Sequence, residues 1–219
     1  MQSLADFIGG IIKAPFVLIA WIIIGFLAGL TRLNGLILLP ALVAEIWLNY
    51  RKSRRWHWEW LWIGIIPLSF LIYLFLNYYV TGNAWTFLTY QKEHWFRSFA
   101  WPWIGFRESY RTLLGREPEA AQIIGGQELL FALIGFGCTI WCSRRLRLSY
   151  TVWMAGNWLL IVSTPFLLSV PRYTLMMFPI YLLMARGAKK FFWRIALTAW
   201  SLLFLALFAA NFARGHWTF

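Results

Sequence analysis

From Phe191 to Ala213 the chain runs for 23 residues with one charge, Arg194. A helix needs about 20 predominantly apolar residues to cross the hydrocarbon core of a bilayer, whereas a solvent-facing helix keeps a polar stripe. This run is one of seven. The others lie near Ile11–Leu30, Gly35–Tyr50, Trp60–Val80, Glu128–Cys142, Ser149–Ser169 and Tyr173–Ala185. The second is short, and the sixth needs tilt or local thinning of the bilayer to cross. Hydrophobic residues make up 61% of the chain and charged residues 13%, too apolar a surface for a soluble domain of 219 residues to hide. The runs are longer than the alternating strands of a membrane barrel, so the fold class read here is all-α: a polytopic transmembrane helix bundle of about seven segments. The whole chain, 1–219, reads as a single membrane domain in a multi-pass integral membrane protein. Its setting would be a bacterial plasma membrane, or the endoplasmic reticulum if the source is eukaryotic.

A net charge of +12 is of the sign that nucleic acid attracts, but its distribution argues against that partner. Three connections are purely basic: Arg51, Lys52, Arg54, Arg55; then Arg144, Arg145, Arg147; then Arg186, Lys189, Lys190, Arg194. They follow segments two, four and six. Seven crossings with the N-terminus inside place all three in the cytoplasm, as the positive-inside bias requires. If the short second segment is re-entrant, the first crossing reverses. The other side receives Thr31–Asn34, the long segment 81–127, the Pro171-Arg172 corner and the C-terminal tail. Segment 81–127 is rich in Trp, Phe and Tyr, which predicts one or two amphipathic helices lying on the outer interface. Pro102 and Gly105 are read as breaks in it, and Gly125-Gly126 as a hinge before the fourth run.

Few residues offer chemistry. Arg32 lies in Thr31-Arg32-Leu33-Asn34-Gly35 and Arg172 in Val170-Pro171-Arg172-Tyr173, both between apolar runs and mapped to the same face. A guanidinium at membrane depth needs a partner or a polar cavity, and its planar fork suits phosphate. Arg32, Asn34, Arg172 and Tyr173 therefore form a candidate phosphate site. Each Arg also fits a simple interfacial anchor. Glu93 and His94 are weak candidates for acid–base work, with Arg97 one turn on, and exposed charges on an amphipathic helix would look the same. Glu108, Arg107 and Arg111 read as a solvated charge mix. Glu45 lies inside the second run and is expected to face the bundle interior. Cys138 and Cys142 read as small core-packing residues, and no metal site is specified.

Thr31-Arg32-Leu33-Asn34-Gly35 with the following Leu36–Ala41, then Trp95-Phe96-Arg97, Ala100-Trp101-Pro102-Trp103 and Pro171-Arg172-Tyr173, together resemble the PIG-V family. These are GPI mannosyltransferase II and its bacterial relatives in the GT-C superfamily. The resemblance implies a partial GT-C-like fold and transfer of a sugar, typically mannose, from a polyprenyl-phosphate carrier to an acceptor hydroxyl outside the cytoplasm. The resemblance also implies a place in GPI anchor biosynthesis. The polyprenyl-phosphate sugar is then the donor substrate, with Trp95, Arg97, Trp101 and Trp103 on the sugar and acceptor side. The match covers nearly all of this chain but only the C-terminal half of a family member. The family's acidic catalytic loop lies in the other half, and the only Asp here is Asp6. The expected partners are accordingly membrane lipids, the lipid-linked sugar, and a separate N-terminal half or other membrane subunit. A non-enzymatic transporter or structural subunit, and an inactive truncated remnant, are the alternatives.

Overall fold

The computed structural model describes residues 23–28, 30, 33–115 and 125–215, and every regular element among them is helical. Among the described residues, three helices are long and apolar enough to cross a membrane: Trp58–Thr81, Gly125–Arg145 and Phe191–Ala213. Leu148–Val162 is a shorter apolar helix. The chain divides into two compact units, Met1–Trp95 and Phe96–Phe219, parting inside the predicted outer segment. Most of the first predicted run, with Gly29, Thr31 and Arg32, lies outside the described residues.

In the first unit a 3-10 turn, Leu33–Ile37, leads into α1, Leu38–Ser53. Helix α1 carries Arg51 and Lys52 in its last turn, where cations complement the helix dipole. A 3-10 stretch, Trp58–Gly64, then enters α2, Ile65–Thr81. Helix α2 stops at Gly82, whose φ of 75° lets its N–H reach the Tyr78 carbonyl at 2.8 Å. A side chain there would be strained, so glycine is the natural stop. The Asn83 side chain accepts the Trp85 N–H at 2.9 Å, and this turn starts α3, Thr86–Trp95. Phe87 of α3 meets Tyr73 of α2 edge-on at 5.4 Å. Glu45 is half-buried on α1.

The second unit begins at Phe96, in the left-handed region at φ 51°. Helix α4, Pro102–Leu113, follows, with proline in its first turn, where the missing N–H costs nothing. Pro102 therefore opens a helix after the break at 96–101, but Gly105 does not break one. It lies within α4 at a close approach, since a Cβ there would stand 2.7 Å from the Thr164 carbonyl oxygen. Gly125 is likewise part of a helical turn rather than a free joint. It continues into α5, Glu128–Arg145, and a Cβ on it would meet the Leu113 backbone at 2.5 Å.

Helices α5 and α6, Leu148–Val162, form an antiparallel hairpin. Near the turn the Thr151 hydroxyl points at the Cys142 sulfur at 3.7 Å, and further along Trp158 Nε1 donates to the Ala132 carbonyl at 2.9 Å. The core of the unit gathers Ala132, Cys142, Met154, Val162, Leu167 and Met177. Cys142 is buried in it and Cys138 packs against it, both as free thiols.

The fifth predicted run is helical only to Val162. Thr164 precedes Pro165, which disfavours the helical conformation for Thr164 and removes an N–H from the ladder. The sixth run is two pieces, α7, Val170–Thr174, and α8, Pro179–Gly187. Pro179 starts the second piece for the same reason. At roughly 1.5 Å per residue, α8 is about 14 Å long. Helix α9, Phe191–Ala213, coincides with the seventh run.

Candidate functional site

The backbone of the Pro-Arg-Tyr corner is held by side chains from two distant segments of the second unit. Ser169 takes a left-handed conformation, φ 60°, just before α7. Its N–H donates to Glu128 Oε1 at 2.8 Å, and the Val170 N–H donates to Oε2 at 2.6 Å. Glu128 is 1% exposed, so its carboxylate is committed to these two donors from 41 and 42 residues away. The first amides of a helix have no partner inside it, and an anion placed there satisfies them.

Arg97 holds the other side. One terminal nitrogen donates to the Tyr173 hydroxyl at 2.9 Å, and the other to the Leu168 carbonyl at 2.9 Å. The guanidinium carbon also lies 4.8 Å from the centre of the Tyr173 ring, a cation–π contact. Arg97 and Glu128 thus clamp residues 168–173 from two directions. Arg172, within that stretch, is exposed.

The corner and the basic clusters sit at opposite ends of α5. Glu128, its first residue, binds the corner, and the carbonyl of Arg145, its last, accepts from Arg186 at 2.5 Å. Eighteen residues of helix separate them by about 27 Å, close to the thickness of a bilayer core.

The remaining predicted site residues are placed as follows. Arg32 lies outside the described residues. Asn34 is half-buried in the 3-10 turn of the first unit. Glu93, His94 and Trp95 are exposed at the end of α3, where His94 Nδ1 lies 3.3 Å from the Tyr90 carbonyl. Tyr173, Arg97, Trp101 and Trp103 all belong to the second unit. Trp101 and Trp103 are exposed and stacked, 5.0 Å between centres and 6° from parallel. Arg107 and Arg111 both pair with Glu108 on the exposed surface of α4. Among the described residues no three His, Cys, Asp or Glu gather as metal ligands would.

Glu128 was the residue that sequence reasoning did not single out. Its signal was available: a carboxylate at the head of an apolar run, with no further Asp or Glu in the remainder of the chain. An acid in such a place requires donors. No family model matches the chain, and no curated protein or solved structure matches it.

Proposed function

We propose that the chain is a multi-pass membrane glycosyltransferase of PIG-V and GT-C character, in particular its part that binds a polyprenyl-phosphate-sugar donor. The observation that carries this is the exposed Arg172 on a corner clamped by Arg97 and Glu128, about 27 Å along α5 from the basic end. Positive-inside orientation would put the basic end in the cytoplasm and Arg172 at the outer surface. An exposed guanidinium carried on that held backbone suits the phosphate of a lipid carrier. The stacked Trp101 and Trp103 are assigned to the apolar faces of a sugar. In the transfer, the bond from the sugar anomeric carbon to the phosphate oxygen breaks and a bond to the acceptor hydroxyl oxygen forms. The electron pair leaves with the polyprenyl phosphate, whose charge Arg172 stabilises. The acceptor proton passes to a general base.

The test is photocrosslinking of the purified full chain with a polyprenyl-phosphate probe carrying a diazirine. Label should enter peptides around Pro171–Tyr173 and fall at least severalfold in Arg172→Ala. Equal labelling of Arg172→Ala and wild type removes the donor site. A structural-subunit reading has one observation in its favour: the most apolar window of α9 has none of its residues buried. A chain that fails to bind the probe but co-purifies with another membrane protein through α9 would establish that reading instead.

A further inference from the structure

The opposite end of the second unit carries a feature that sugar transfer does not use. Two basic clusters some 40 residues apart in sequence are brought to one place. Arg144, Arg145 and Arg147 sit where α5 turns into α6, and Arg186, Lys189 and Lys190 where α8 turns into α9. The tie is direct, since Arg186 donates to the Arg145 carbonyl at 2.5 Å and Gly187 lies against the Trp141 ring. All six cationic residues are exposed. From Leu129 to Phe219 the sequence contains no Asp or Glu, and Glu128 is at the far end of α5. No carboxylate of these elements therefore lies among the six charges.

Orientation by the positive-inside rule requires only that such charges stay on one side. It does not require them to converge. We infer that this end is a binding site for the phosphate headgroups of anionic phospholipids in the cytoplasmic leaflet. Six cations on two adjoining helix junctions create a field that a zwitterionic headgroup does not satisfy and an anionic one does. Guanidinium groups from two elements can grip one phosphate bidentately. Exposed aromatic residues flank the charges, Trp141 on α5 and Phe191 and Trp193 on α9, at the level where acyl chains meet headgroups. The ammonium groups of Lys189 and Lys190 extend the patch to a second phosphate. The site stands on the second unit crossing the membrane and is independent of any donor at the Arg172 end.

Native mass spectrometry of the purified chain, exchanged against phosphatidylglycerol or phosphatidylcholine, tests it. Phosphatidylglycerol should be retained preferentially. The triple variant R145Q/K189Q/K190Q, which leaves the Arg186 tie in place, should lose that preference by about fivefold per charge at low salt. The variant R107Q/R111Q, on α4, should keep it. Arg186→Gln, which separates the two clusters, should weaken retention more than Lys190→Gln alone. Equal retention of both lipids, or a triple variant that binds like wild type, overturns the site. Millimolar inorganic phosphate that displaces the lipid completely would make it a free-phosphate site. Transfer RNA that binds more tightly than phosphatidylglycerol would make it a nucleic-acid surface, and either result ends the lipid assignment.

Discussion

Helices α5 and α9 are both long enough and apolar enough to cross a bilayer, yet they are fixed in different ways. A third of the most apolar window of α5 is buried inside the unit, and none of that of α9 is. Helix α5 presents Ala132, Gly135 and Cys142 along one stripe, and all three are buried. Helix α9 touches its neighbour through rings, with Phe204 edge-on to Phe131 at 5.4 Å. The difference is not hydropathy, since α9 is the more apolar of the two. Where lipid solvates every apolar side chain equally well, apolarity alone does not choose a neighbour. Close approach and hydrogen bonds do, and α5 has both: the Glu128 carboxylate at one end, the Trp158 indole in the middle and Arg186 at the other end.

If directional contacts fix α5, removing the strongest should cost most. Glu128→Ala leaves the Ser169 and Val170 amides buried without an acceptor, at roughly 1–3 kcal/mol each. Thermal unfolding in detergent should show the largest drop of the series, and trypsin should gain access to Arg172. Glu128→Gln keeps one acceptor oxygen and should recover part of the loss. An Ala variant as stable as wild type would mean that the corner stands without its clamp. Next comes Gly135→Val. A Cβ at Gly135 already lies 3.1 Å from the Trp158 ring, so a branched side chain forces the hairpin apart, by about 1–3 kcal/mol. Below that, Trp158→Phe removes the donor to the Ala132 carbonyl while keeping a ring, for about 1 kcal/mol. Its signature is faster hydrogen exchange confined to α5 and α6.

The parts legible from sequence were those set by local pattern. The Phe191–Ala213 run and its helix coincide, because nothing in it interrupts the ladder and the chain outside it changes character at both ends. The start of the Glu128–Cys142 run was equally plain. Prolines decided the two places where apolarity misled. Ser149–Ser169 reads as one run, but Pro165 ends its helix at Val162, and Pro179 divides the next. Hydropathy counts proline as an interruption too weakly. Glycines misled in the other direction. Gly105 and Gly125 read as breaks because their backbone is permissive, whereas both mark places where another segment leaves no room for a side chain. Of the candidate site, the Pro171-Arg172-Tyr173 corner was visible as polar residues between apolar runs. Its supports were not, because Arg97 and Glu128 reach it from about 70 and 40 residues away, and no local pattern records a partner at that distance.

The smallest effect belongs to α9 and is the sharpest check on the comparison. Leu203 is 66% exposed on that helix and Leu202 is 59% exposed. In water, such leucines would mark an interface, and trimming them would improve solubility. In lipid, the side chain and the acyl chain that replaces it are alike. Leu203→Ala should therefore change the unfolding temperature by less than the equivalent of about 0.5 kcal/mol, the ordinary range for a surface position. A loss of several times that size, while Gly135→Val remained mild, would reverse the ranking of the two helices. It would mean that α9 is held by a protein partner at Leu203, and that the uncovered helix, not the clamped one, carries the assembly.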